Sequence, residues 1–470
     1  MVINTSMDSL ETHGRATIVD QHADLRGFDE DTGVASDPQP GAADRYAANR
    51  HAASLPARHT ALDGLRVVDL SRMIAGGVAG MLLADFGADV IKVEQPRSGD
   101  PLRQWTFEGE PLWWKVYARN KRFVTLNLKA LESRELLRRL VSRTDVLIES
   151  FVPGTLEAWG LGWDVLHAWN PGLVLLRVSG WGQSGPSSRL PGFGTLVEAA
   201  SGFAAMNGKP SGGPILPSFP LADMASALLG VNAIMFGLYH RDRHHGAGQC
   251  IDLSLFESLF PLLGPLPAEY ARFGRVRTRE GSRSRNAGPR GCYQTADGRW
   301  IAVSGSTPAM AERFLRGYGL SALLDDERFA TNEARVQHAE QLDAEIRRAV
   351  AARTLDENLA IIASHTLTAV PVQTIADVEA DPHWRARQLL ADVPEAAAAR
   401  RSSPDSDHES STVSRPDTVR MHNVVPRFSD TPGELRWAGG DLGQDNHAIY
   451  VDELGFTPGD LAAWADRGVI

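Results

Sequence analysis

The stretch LPSFPLADMASALLG, residues 216–230, sets one carboxylate, Asp223, in a run that is otherwise apolar or small. A charge taken out of water is costly unless something pairs with it, caps with it or uses it. Aspartate is a favoured helix N-cap, and its charge suits the positive end of a helix. The same place suits a nucleophilic carboxylate, kept ionised by the helix end and stripped of water by apolar neighbours. The two roles are compatible.

Other residues invite the same question. ARNKRFVTLNLK, residues 118–129, puts Lys121 and Arg122 before a strand-like run and Lys129 beyond it. These cations read either as a solvated rim or as a clamp for nucleotide phosphates. Gly76, Gly77 and Gly80 in IAGGVAG would allow a helix to pack closely on a sheet or a ligand to approach the backbone. Their spacing is not G-x-G-x-x-G and no Walker lysine follows, so dinucleotide and P-loop chemistry is not expected. His240, His244 and His245 lack a carboxylate or cysteine at ligand spacing, so no metal site is expected. There is no G-x-S-x-G nucleophile elbow.

The elements that must position these residues alternate along the chain. Residues 65–70 read as a strand, 75–86 as a helix and 89–93 as a second strand, a β-α-β unit. Strand-like runs recur at 123–128, 145–149 and 173–179, with a helical stretch at 131–142. The pattern predicts an α/β fold with a doubly wound, largely parallel, Rossmann-like sheet. Helices are expected at 222–240 and 252–272. A hairpin with Asp297-Gly298 as its two-residue turn follows, then helices near 308–320, 332–352 and 355–364, which together predict a smaller α+β domain. The expected division is a disordered extension at 1–60, the first part of the large domain at 61–250, a linker helix at 251–285 and the small domain at 286–390. A low-complexity insertion at 391–417 and a return to the large domain at 418–470 complete it.

The 470 residues carry a net charge of −10, which argues against a nucleic-acid partner, and 43% are hydrophobic, as in an ordinary globular chain. Two cysteines, Cys250 and Cys292, form neither a disulfide framework nor a zinc spacing and fit a reducing, cytoplasmic setting. The first residues lack the basic start and apolar core of a secretory signal. The apolar run 219–239 is interrupted by Asp223 and Asn232 and reads as a buried helix, not a membrane span.

An ordered set of stretches resembles the class III CoA-transferase family, the formyl-CoA and carnitine-CoA transferase type. The most specific is GLRVVDLSRMIAGGVAGMLLADFGADVIKVEQPRSGDPLR at 64–103. NKRFVTLNLK, DVLIESFVPGTLEAWGLG, NPGLVLLRVSGWGQSGP, GAGQCIDLSLFES, TADGRWIAV, AVPV and RGVI follow in the family's order. The resemblance implies CoA transfer between carboxylic acids without a tightly bound cofactor or metal, acyl-CoA and small carboxylic acids as ligands, and an interlocked homodimer. Asp223 matches the family's nucleophile, although Ala227 stands where a glycine is usual. The implied CoA contacts are Ala75, Leu126, Lys129, Phe151 and Gly154, with Arg97, Lys121 and Arg122 placed to serve phosphates. Gln95 and Ala158 stand where formyl-CoA transferases have arginines. The loop SRNAGPRG, centred on Gly288, is the implied oxyanion loop.

One departure bears on the reaction. In LPGFGTLVEAASGF, Gly194 occupies the place of an aspartate that carries a proton in related racemases, which disfavours racemase or lyase chemistry. Glu198, one helical turn on, either replaces that charge as an auxiliary to catalysis or is a capping or surface glutamate. Gly194, the glycine-poor loop and the altered contacts also admit a catalytically silent CoA-binding subunit working with a paralogue.

Overall fold

The structure, a computed structural model, describes residues 60–244, 246–396 and 418–470. The expected extension before residue 60, His245 and most of the expected insertion lie outside the described residues.

Six parallel strands form the main sheet: β1 (Arg66–Asp69), β2 (Asp89–Glu94), β3 (Arg122–Thr125), β4 (Val146–Glu149), β5 (Val174–Ser179) and β6 (Cys250–Ser254), in the order β3-β2-β1-β4-β5-β6. Between and after them run α1 (Ala75–Asp85), α2 (Leu112–Tyr117), α3 (Ser133–Val141), α4 (Thr155–Ala158), α5 (Trp163–Trp169), α6 (Gly194–Ala200), α7 (Phe203–Met206), α8 (Leu221–Arg243), α9 (Leu255–Leu259) and α10 (Leu266–Phe273). Successive strand residues point to opposite faces, and both faces are covered, as a parallel sheet requires. On one face Val67, Val90, Val146 and Leu176 pack against Val78 and Ala79 of α1 and Ala227 and Ile234 of α8. On the other Val68, Ile91, Val124 and Leu147 meet Leu136, Leu137 and Leu140 of α3, with Ile449 and Tyr450 from the C-terminal segment.

The run at 252–272 is not one helix. Its start is the edge strand β6, and two short helices follow. By length and apolarity alone α8 would suffice to cross a membrane. Its small residues instead serve packing: a Cβ on Gly230 would lie 3.1 Å from Leu176 and 3.9 Å from Ala79.

Two of the three glycines of α1, Gly76 and Gly80, have a packing role, while a Cβ at Gly77 would meet nothing within 4 Å. A Cβ at Gly76 would fall 2.4 Å from the Ser71 Cβ, and one at Gly80 would fall 3.1 Å from Asp69 Oδ2. Beneath them lies a buried ion cluster. Lys121 Nζ meets Asp69 Oδ2 at 2.8 Å and the Gly77 carbonyl at 2.6 Å, while Lys92 Nζ meets Asp100 at 3.1 Å and Asp69 at 3.5 Å. Asp100 Oδ1 also accepts from the Met73 N–H at 3.1 Å, which ties the β1–α1 loop to the β2 side.

Strands β7 (Arg290–Gln294), β8 (Trp300–Ser304) and β9 (Ala369–Pro371) form an antiparallel sheet, packed by α11 (Pro308–Gly317), α12 (Asn332–Gln337), α13 (Ala339–Ala351) and α14 (Leu355–Ser364). The β7–β8 turn is longer than the expected two residues. Thr295 N–H donates to the Arg299 carbonyl at 2.9 Å, enclosing Ala296, Asp297 and a left-handed Gly298. The expected helix at 332–352 breaks at His338 into α12 and α13. A two-stranded sheet pairs β10 (Leu390–Pro394) with β11 (Thr418–His422).

Candidate active site

In an open parallel sheet the loops after neighbouring strands diverge where the strand order reverses, and ligands bind in the crevice they leave. Here that point lies between β1 and β4. A cavity of about 940 Å³ opens there, lined by Leu70–Met73 after β1, by 150–153 after β4, by 188–193 after β5, and by Asp223. Arg72 N–H donates to Ser150 Oγ at 2.9 Å, joining the two diverging loops at the cavity floor.

Asp223 is the third residue of α8 and makes no side-chain cap; the N-cap position is Pro220. The capping expected of Asp223 is supplied by Glu198, whose Oε1 accepts the Ala222 N–H at 3.0 Å. Glu198 is 2% exposed. Burial, together with the nearby Glu198 charge, pushes the Asp223 carboxyl up to about 6, against the pull of its own backbone N–H. The helix end therefore does not dominate; desolvation does. A Cβ at Gly194 would lie 2.1 Å from Asp223 Oδ2, so the absent side chain at 194 leaves the carboxylate its place.

Ala75, Leu126, Lys129 and Phe151 line the same cavity as Asp223. Gly154, at φ +90°, sits between the lining residues Pro153 and Thr155. Arg97 is exposed, at φ +65°, and is not part of the lining, although Gln95 and Ser98 are.

Three expectations are corrected. Lys121 is 1% exposed and committed to Asp69 and the Gly77 carbonyl, so its ammonium is not offered to a phosphate. Arg122 opens β3 and pairs with Asp89, the first residue of β2, at 2.6 Å and with Glu453; it lies at the strand starts, at the sheet edge opposite the cavity. Gly288 does not line the Asp223 cavity, and its N–H is already given to Asn332 Oδ1 at 3.3 Å, which removes that group from an oxyanion role within one chain.

The sequence reading missed Arg72 and Arg189, which with Lys129 are the cations lining the cavity among the described residues. Among the described residues none of the three is in an ion pair, whereas Arg103 is bound to Glu94 at 2.7 Å and Arg177 to Glu149 at 2.7 Å. Arg72 was findable: it lies three residues past the end of β1, in the loop at the carboxyl end of a central strand. Arg189 lies in a long loop after β5 that no local pattern ties to the site. Among the described residues no cluster of three histidines, cysteines or acids could hold a metal ion.

At its switch point the Rossmann-like sheet carries a cation-lined crevice faced by a half-buried carboxylate that has no ion-pair partner among the described residues. The chain belongs to CoA-transferase family III, whose family model matches residues 62–446, and it transfers CoA from an acyl-CoA to a carboxylic acid. It is 38% identical over 412 residues to succinyl-CoA–D-citramalate CoA-transferase of Chloroflexus aurantiacus, covering 87% of this chain and 98% of that enzyme. It is also 38% identical, over 414 residues, to the beta subunit of succinyl-CoA–L-malate CoA-transferase of the same organism, covering 87% of this chain and 98% of that subunit. A CAIB/BAIF family protein from Brucella suis superposes with a TM-score of 0.71 at 32% identity, covering 84% of this chain and 99% of that one.

Proposed function

We propose that this chain moves CoA from a dicarboxylic acyl-CoA such as succinyl-CoA to a second dicarboxylate, with Asp223 as nucleophile. The observation that carries the reading is Asp223 itself, a carboxylate facing the switch-point cavity with no cation beside it and a raised pKa, hence a more basic nucleophile than an exposed aspartate. Its Oδ attacks the thioester carbonyl, giving a mixed anhydride and CoA thiolate. The thiolate attacks the aspartyl carbonyl, releasing the donor acid and leaving an aspartyl-CoA thioester. The acceptor carboxylate repeats the sequence in reverse and restores Asp223. No water is consumed and no net proton moves.

The relatives' names specify acids with two carboxylates. A second carboxylate, and the phosphates of CoA, both need cations in a partly enclosed space. Arg72, Lys129 and Arg189 supply three. Ala75, Leu126, Phe151 and Gly154 give the apolar and backbone wall for the rest of CoA. No tightly bound cofactor is required by this route, and a reducing cytoplasmic setting suits it. The exposed Phe236, Tyr239, Phe219 and Phe273 on and beside α8 and α10 support a second copy covering them.

The test is purified chain with succinyl-CoA and a panel of free acids, read by mass spectrometry of the CoA thioesters. New dicarboxylyl-CoA species support the reading; hydrolysis alone, or no turnover, contradicts it. Several relatives are named as subunits of a larger enzyme, which favours a second arrangement, this chain beside a paralogue. Activity of the chain alone rules that arrangement out as a requirement.

A further inference from the structure

We infer that Glu198 is a positioning residue for Asp223: it holds the start of α8 and, as a second carboxylate at that helix end, favours transfer of the Asp223 charge to the departing acid. The inference rests on Asp223 being the nucleophile.

The geometry comes first. Glu198 stands in α6, the helix packed against the start of α8, and its Oε1 takes the Ala222 N–H one residue before Asp223. Neither Glu198 nor Asp223 has an ion-pair partner among the described residues. Among the described residues the surrounding elements add no compensating charge. The start of α1 offers Ala75, Gly76 and Gly77, and α7 is Phe203–Met206 with no titratable side chain. In α9, Glu257 is bonded to Ser254 Oγ at 2.5 Å. In β5, Arg177 is bound to Glu149 and Glu157. Arg72, Lys129 and Arg189 line the wider cavity, yet the side-chain charge that acts on Asp223 is that of Glu198.

Residues 194 and 198 share one face of α6, one turn apart. The nearer position admits no Cβ, since that atom would sit 2.1 Å from Asp223 Oδ2. The farther one places its carboxylate at the backbone of α8, on the Ala222 N–H.

The consequence follows from the half-reaction. Asp223 carboxylate and acyl-CoA become aspartyl-CoA thioester and free acid: the acyl C–S bond breaks, a bond from sulfur to the aspartyl carbon forms, and one aspartate oxygen leaves in the acid. One negative charge leaves the buried site with it. Two neighbouring anions become one, and their repulsion, strong in a desolvated place, is relieved. Glu198 therefore favours the adduct over the free enzyme.

Intact-protein mass spectrometry at fixed succinyl-CoA and succinate reads the ratio of adduct to free enzyme directly, beside the pH profile of kcat/KM. Glu198→Gln keeps an oxygen for the Ala222 N–H and removes the charge. Its expected ratio falls about tenfold, as for one unit of pKa, and its acid limb moves to lower pH. Glu198→Asp, which keeps the charge, should restore most of the ratio. E198Q with the wild-type ratio and the wild-type limb overturns the inference and leaves Asp223 standing as nucleophile. A wild-type enzyme that turns over without an adduct at Asp223 overturns both.

Discussion

The molecule buries two groups of acids near the carboxyl ends of its strands and treats them in opposite ways. Asp69 and Asp100 are enclosed with Lys92 and Lys121; burial pushes the Asp69 carboxyl up, but the two lysines outweigh it and hold it below its ordinary value. Asp223, half-buried beside the buried Glu198, has no ion-pair partner among the described residues, and there burial and the Glu198 charge push its carboxyl in the same direction, to about 6. Removing one member of a paired cluster strands a charge, so pairs mark architecture. An unpaired acid facing a cavity is tolerated at a cost to the fold, and that cost marks chemistry.

This contrast can be broken or sharpened in descending order of effect. Asp223→Asn should lower CoA transfer by on the order of 10⁴-fold, the scale seen when a catalytic carboxylate is removed, with the circular dichroism spectrum unchanged. Retention of more than a few per cent of wild-type turnover would sink the nucleophile assignment. Lys121→Met acts on the other group: it leaves Asp69 short of its nearer partner and should cost about 3–5 kcal/mol in urea unfolding. A variant as stable as wild type would show that the cluster does not hold α1 to β1 and β3.

Smaller again is the effect of Asp223→Asn on stability. Asp223 binds its proton more tightly folded, at about 6, than unfolded, near 3.8, so the ionised native state is penalised. The penalty is complete above pH 6, fades as pH falls through the window between the two values, and is absent below 3.8. At pH 8 the asparagine variant should therefore be more stable by about 2–3 kcal/mol, with no difference near pH 3.5. An equal gain at both pH values would contradict the unpaired-charge account. For wild type, kcat/KM should fall about tenfold per pH unit below 6, because the protonated acid does not attack. The smallest effect belongs to exposed pairs. Glu135→Ala, which removes the bonds to Arg138 and Arg139 on the surface of α3, should change stability by less than about 1 kcal/mol.

The parallel sheet was legible because five of its strands are buried on both faces and read as short, mostly apolar runs, such as VLIE of β4. The sixth was not: β6 is an edge strand, CIDLS, half-exposed at Cys250–Asp252, and it runs straight into α9, so its pattern merges with a helix. Asp223 was legible as an acid in an apolar run and as a match to a family position. Its partner relations were not. Whether Lys121 faces solvent or Asp69 is decided by a contact 52 residues away in sequence. That Glu198, not Asp223, caps α8 depends on the meeting of two helices that no local pattern encodes. Arg72 could have been found by asking which residues follow the two central strands.

The central claim is that an unpaired, half-buried carboxylate at 223 becomes covalently joined to CoA during turnover. Incubation with succinyl-CoA, reduction with borohydride and peptide mass mapping test it directly, since borohydride reduces an aspartyl thioester to an alcohol and leaves a free carboxylate untouched. The account predicts reduction at Asp223 alone, dependent on the CoA donor and reversed by excess succinate before quenching. Active enzyme with an unmodified Asp223, or with reduction at another acid, would contradict it.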